Sequence, residues 1–171
     1  IKAEHLRKEY KDVTAVENLN LTVEQGELYA LLGVNGAGKT TTIKMLSGLC
    51  RPTGGDALLN GKSILRDPGA VKEMIGVSPQ ETAVAPNLPA RENLELMCGV
   101  HGFSREKRDR KVAEAAGQLG LEPVLGKRAG KLSGGWQSRP SIAMALIGEP
   151  EILFLDEPTL GLDVLARSDL W

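Results

Sequence analysis

The sequence predicts an α/β fold with an antiparallel β subdomain at the front and a helical block inserted into the core. Three observations predict it. Residues 1–32 read as strands, the stretch 90–121 is rich in helix formers with amphipathic spacing, and Ile152-Leu153-Phe154-Leu155 is a fully apolar strand of the kind buried in a parallel sheet.

Taken in order, Ile1 to Tyr10 alternates loosely, Val13 to Val16 is short and apolar, and Leu19 to Val23 alternates strictly. Antiparallel hairpins are expected there. Glu24-Gln25-Gly26-Glu27 reads as a turn, and Glu27-Leu28-Tyr29-Ala30-Leu31-Leu32 as a buried strand. A helix over Thr41–Leu49 follows a glycine-rich loop, and Arg51 to Asp56 is a loop. Ala57 to Lys62 reads as a strand with an Asn60-Gly61 turn. Ile75-Gly76-Val77-Ser78 is a second short strand, ending at Pro79-Gln80. Asn93 to Met97 and Arg105 to Leu119 have helical spacing. The charged run Arg105–Lys111 mixes both signs without aromatics, so it reads as a solvated helix face rather than a basic patch.

A length of 171 residues suits one domain, or one domain with a subdomain. The composition, 42% hydrophobic and 25% charged, is that of an ordinary globular protein. A net charge of −1 gives no argument for nucleic acid or an anionic membrane surface. No apolar run approaches the ~18–20 residues of a spanning helix. The chain begins at Ile1 rather than Met, so further residues are expected upstream. Cys50 and Cys98 show no metal or redox spacing and read as free thiols. His5 and His101 are isolated and read as ordinary surface or core residues.

Three short segments carry chemistry. Gly33-Val34-Asn35-Gly36-Ala37-Gly38-Lys39-Thr40 has the spacing of a loop that wraps nucleotide phosphates, set between a strand and a helix. Its glycines let backbone N–H groups approach phosphate oxygens, and the helix start adds donors and a positive dipole end. Lys39 supplies a point charge for the β- and γ-phosphates, and the Thr40 hydroxyl suits Mg²⁺. Asp156-Glu157 ends the Ile152–Leu155 strand. An acidic residue there can hold Mg²⁺, and Glu157 is placed to polarise a water for attack on the γ-phosphate. Leu132-Ser133-Gly134-Gly135 precedes the helical stretch Ile142–Leu146 and offers a second anion site of capping hydroxyl, N–H groups and dipole. It reads either as a site for a nucleotide held by another copy or as an ordinary capped helix.

With these segments in this order, the chain resembles the nucleotide-binding domain of ABC (ATP-binding cassette) ATPases over nearly its whole length. The three segments match that family's Walker A, signature and Walker B motifs. The resemblance implies a P-loop NTPase core with a RecA-like parallel sheet, an N-terminal antiparallel β subdomain and an inserted α-helical subdomain. The implied divisions are 1–81 for the ATP-binding core with its β subdomain, 82–140 for the helical signature subdomain, and 141–171 for the return to the core. It implies ATP and Mg²⁺ as cofactors. Tyr10 would stack on adenine with Val16 beside it, and Asn35, Gly36, Ala37, Gly38, Lys39, Thr40 and Thr41 would hold the phosphates. Ser133, Gly134 and Gly135 would cap the nucleotide of a second subunit. Thr40, Gln80 and Asp156 would serve Mg²⁺. Glu157 would be the catalytic base, with Lys39 and Gln80 assisting, and Gly161-Leu162-Asp163 would be the loop that crosses to the other subunit.

The same resemblance implies a head-to-tail homodimer or pseudo-dimer, a transmembrane permease partner contacted near Glu81–Leu88, and a peripheral place on the cytoplasmic side of the membrane. It points to transport, with export-type systems nearest in wording, and to no nucleic-acid partner. The alternative is a soluble ABC ATPase of the DNA-repair or translation type; no heptad run, Cys cluster or second phosphate loop supports it. The family's γ-phosphate histidine lies past Trp171, so the expectation is a truncated chain that hydrolyses ATP weakly or not at all by itself. Trp136 stands where the family often has Gln. Pro140 falls in the expected signature helix, where it marks either a helix start or a kink.

Overall fold

The computed structural model describes residues 1–81 and 83–157. The fold is mixed α/β and divides into two compact units, Ile1–Ile75 and Gly76–Trp171.

The first unit is built on a hairpin. Strands β1 (Lys2–Tyr10) and β2 (Val13–Thr22) pair antiparallel, from Lys2 opposite Thr22 to Tyr10 opposite Val13. The two short strands expected over 13–23 are therefore one long strand, bent by register shifts. β3 (Gly54–Leu59) adds to the other edge of β1, and β4 (Lys62–Ser63) to β3, giving the order β2-β1-β3-β4. The β3–β4 turn is the expected Asn60-Gly61, with φ of 45° and 77°, the pair of positive angles a tight hairpin needs. Ala3, Leu6, Ala57 and Leu59 bury one face of the sheet. Helix α1 (Lys39–Leu46) buries Met45 and Leu46 in the same unit.

The stretch Glu27–Leu32 departs from expectation. It forms no strand, and Leu28 is 78% exposed and Leu32 88%. A strand exists only by pairing its backbone groups, and no strand among the described residues pairs with this one. Helix α2 (Pro68–Met74) is too short to show a clear apolar period and is an addition to the elements expected from sequence. Asp67 before Pro68 is its local signal, since proline fits the first helical turn, where its missing N–H is not needed.

The second unit holds strands β5 (Ile75–Ser78, whose first residue closes the first unit) and β6 (Ile152–Leu155), which form a two-stranded sheet. They are what the described residues contain of the expected parallel core. Between them in sequence lie α3 (Ala90–Val100), α4 (Arg105–Leu119) and α5 (Gly134–Leu146). Leu94 and Cys98 from α3, Val112 and Ala116 from α4, and Ala143 and Met144 from α5 share one core with Leu121 and Ile147. Helix α4 is capped at both ends: the Ser104 hydroxyl accepts from Lys107 N, and Gly120 closes it in the left-handed region. Its charged run is largely solvated, as expected, except for Lys111, whose ammonium binds Glu114 at 3.0 Å and Glu149 at 2.6 Å. Both cysteines are free thiols, Cys98 buried and Cys50 half-buried.

Two contacts set the geometry of this unit. Gly76 in β5 lies so close to α5 that a Cβ would overlap the Ala145 carbonyl oxygen and come within 2.9 Å of Pro150 Cγ. Asn93, fully buried, accepts from Ala85 N at 2.6 Å and donates to the carbonyls of Ala85 and Pro89 at 3.2 and 3.0 Å. One amide thus supplies the hydrogen bonds that the irregular segment 85–89 cannot make to itself.

Asn93→Ala removes this acceptor from the half-buried Ala85 amide and opens a cavity at a fully buried position. It should lower unfolding free energy by about 2–4 kcal/mol, measured by denaturant unfolding. Gly76→Ala should cost about 1–3 kcal/mol by overpacking, read as a lower Tm.

Candidate nucleotide site

In the first unit the phosphate loop runs from Gly33 into α1. The residue at the start of α1, Gly38, has φ of 83°, in the left-handed region, and no side chain caps the helix. A Cβ on Gly38 would overlap the Ala15 carbonyl oxygen and reach within 3.0 Å of Val16 Cγ2. So β2 lies against the loop, and only glycine satisfies both the angle and the gap. An uncapped first turn with N–H donors and the dipole's positive end suits an anion. The Lys39 ammonium donates to the carbonyls of Gly33 at 2.7 Å and Val34 at 3.1 Å, which folds it over the loop.

Tyr10 stands in the same unit, 46% exposed. Its hydroxyl is 3.3 Å from Cys50 Sγ, and Lys8 Nζ sits 4.9 Å from the centre of its ring. The Cys50 hydrogen bond pushes the Tyr10 phenol up, and a weaker bond with Thr41 opposes it. Tyr10, Val16, Gly38, Lys39 and Thr41 are thus all brought together around the loop.

In the second unit the structure gathers a different set. Gln80, just past β5, donates from Nε2 to Glu157 Oε2 at 3.4 Å. Asp156 is 5% exposed, and its backbone N donates to Ser78 O at 2.9 Å. Glu157 has φ of 50°, an uncommon angle for a residue with a Cβ and the kind of backbone strain that clusters at functional sites. Gln80, Asp156 and Glu157 line one small cleft with Ser78, Ser138 and Ser141. These three serines are not among the residues the sequence marks as functional. Their signal is weak: Ser138 and Ser141 fall within a helix whose start carries the recognisable motif.

Ser133, Gly134 and Gly135 open α5 but do not line that cleft. The helix begins at Gly134, well before the stretch expected, and Ser133 is its cap residue by backbone angles. Its hydroxyl makes no cap hydrogen bond, contrary to the expectation of a capping hydroxyl. Instead the Gln137 side chain reaches back to Leu132 O at 2.9 Å. Pro140 lies inside α5, which runs unbroken to Leu146. The ring is fully buried in the unit, and that burial offsets the lost donor. Gly161-Leu162-Asp163 lies outside the described residues.

The donors expected for Mg²⁺ are oxygens, from Thr40, Gln80 and Asp156, the hard set this ion prefers. Among the described residues no group of three His, Cys, Asp or Glu could hold a metal. No helix among the described residues is long and apolar enough to cross a membrane.

Comparisons with known proteins bear on the family and the fold. The ABC transporter family profile matches residues 16–160. The chain is 45% identical over 176 residues to human ATP-binding cassette sub-family A member 2, covering all of this chain and 7% of that protein. It is 37% identical over 171 residues to the probable multidrug ABC transporter ATP-binding protein YbhF of Escherichia coli (strain K12), covering all of this chain and 30% of that protein. The chain therefore spans under a third of the length of these two relatives. Among solved structures, the dimeric bacterial ABC transporter cassette MJ0796 superposes with a TM-score of 0.89 at 29% identity, over 99% of this chain and 78% of that one. The same cassette has been solved in a post-hydrolysis state bound to ADP and Pi, again with a TM-score of 0.89. By sequence, by fold and by the build of its phosphate loop, this chain belongs to the ABC transporter family of ATP-binding cassettes.

Proposed function

We propose that this chain is the ATP-hydrolysing part of a membrane transporter of the export type. The observation that carries the reading is the start of α1. A left-handed glycine with no room for a Cβ leads into a helix that no side chain caps, with a lysine folded over the loop.

In this reading the N–H groups of residues 36–41 hold the phosphates, and Lys39 exchanges its loop carbonyls for the β- and γ-phosphate oxygens. Tyr10 offers its ring face to adenine, held in place by Cys50 at its hydroxyl and Lys8 at its ring. Thr40, Gln80 and Asp156 are the residues that would hold Mg²⁺, which supplies charge neutralisation on the phosphates. Glu157 orients and polarises the attacking water, and Gln80 fixes that carboxylate by its hydrogen bond. Ser133, Gly134 and Gly135 complete the nucleotide site of a second cassette in a head-to-tail pair. The dimeric state of the MJ0796 cassette favours such a pair. The division into 1–81, 82–140 and 141–171 belongs to the same proposal. Membrane partnership rests on the ABC transporter family match and on a relative named as a probable multidrug ABC transporter ATP-binding protein. A position on the cytoplasmic face of the membrane follows from that partnership.

Three outcomes test the proposal in the full-length protein. Glu157→Gln should lower kcat for ATP by about 10²-fold or more while KM changes little; unchanged turnover would remove Glu157 as the base. Gly38→Ala should weaken ATP binding by about 5–30-fold, from about 1–2 kcal/mol of backbone strain plus the overlap with β2, measured by equilibrium titration. Detergent extraction should yield a membrane-embedded protein whose ATPase activity rises with transported substrate. Recovery only in soluble fractions with ribosomes or nucleic acid would leave ATP binding standing and remove transport.

A further inference from the structure

We infer that Ser141 is a positioning residue for Gln80, holding both ends of the segment that carries it. Gln80 follows β5, two residues after Ser78 and three before Ala83. The Ser141 hydroxyl, on α5, lies 3.0 Å from Ser78 Oγ and accepts from Ala83 N at 3.4 Å. A single hydroxyl can do both, since it carries one proton and two lone pairs. Ser141 is 2% exposed and Ser78 5%, so no solvent replaces the bond between the two hydroxyls when it is lost, whereas Ala83 is exposed and its amide can turn to water.

The consequence reaches the carboxylates of the cleft. The Ser78 carbonyl accepts from Asp156 N, and the Gln80 amide donates to Glu157. Ser141 therefore anchors to one helix the segment that touches both acidic residues. That helix is the one opened by Ser133, Gly134 and Gly135. A buried hydrogen bond between two hydroxyls works over a narrow range of distance. Any sliding of α5 along β5 must break it or carry Gln80 along. Gly76 strengthens the argument, because its missing Cβ keeps β5 and α5 in this close register one turn further along the helix.

The catalytic consequence rests on the ATPase reading above, whereas the anchoring does not, and the test separates them. In the full-length protein, Ser141→Ala should lower kcat for ATP about tenfold, the scale of a displaced positioning group, with KM nearly unchanged and the protein still fully folded at the assay temperature despite a lower Tm. Ser78→Ala removes one of the two bonds and should have a smaller effect. The double variant should match Ser141→Ala alone, because both changes act through one hydroxyl. Hydrogen exchange supplies a readout independent of turnover: the amide of Ala83 and its neighbours should exchange faster in Ser141→Ala, with α3 and α4 unaffected. Unchanged exchange at Ala83 would overturn the anchoring. Faster local exchange with unchanged kcat would overturn the positioning role, as would a loss of kcat that simply follows a loss of Tm. If the unsubstituted protein does not hydrolyse ATP, the functional reading fails, while the exchange result still decides the anchoring.

Discussion

The start of α1 has no side chain to cap it, and much of the first unit follows from that. A helix begins with N–H groups that lack partners, and most helices satisfy some of them with a Ser, Thr, Asp or Asn. Here Gly38 occupies that place in a left-handed conformation, pressed against the backbone of β2. The sheet β2-β1-β3-β4 is the wall that fixes the loop from one side. Met45 and Leu46 anchor the helix behind it, so the donors at its front stay aimed outward. The same hairpin carries Tyr10 at the end of β1, where its hydroxyl meets Cys50 beyond the far end of α1. The residues proposed for adenine and for the phosphates are thus mounted on one small frame.

The second unit depends on a different constraint, the close seat of β5 on α5. Two small residues make it possible. Gly76 lets the strand approach the helix backbone, and the Ser78–Ser141 pair satisfies the polar atoms that such an approach buries. Strand β6 then delivers Asp156 and Glu157 beside the exit of β5. The buried amide of Asn93 performs a comparable task for the segment 85–89, which has no ladder of its own. In both places a short polar side chain inside the unit organises irregular backbone near the functional residues.

How much of this is legible in the sequence varies with the range of the interaction. The phosphate loop, the Asn60-Gly61 turn and the helix over Arg105–Leu119 are local patterns, legible because the residues that set the geometry are neighbours in the chain. The start of the helix after Ser133 is harder to read, because Pro140 argues for a break; burial of the proline ring, a tertiary effect, outweighs that local signal. Glu27–Leu32 has the composition of a buried strand, yet composition does not supply the partner that a strand requires. The roles of Asn93, Ser78 and Ser141 are not legible. Their hydrogen bonds join positions far apart in sequence, as Ser78 and Ser141 are, or depend on which way one amide faces a loop. Gln80 is implied only by the family resemblance, and its contact with Glu157 at 3.4 Å is something only the fold displays.

The central claim is that the Gly33–Thr40 loop binds a nucleoside triphosphate through its backbone donors and Lys39. An equilibrium titration of the full-length protein with MgATP, alongside Lys39→Ala, tests it most directly. The account predicts saturable binding that the substitution weakens severely, with ADP competing and inorganic phosphate far weaker. Equal affinity in both proteins, or no saturation in either, would contradict it.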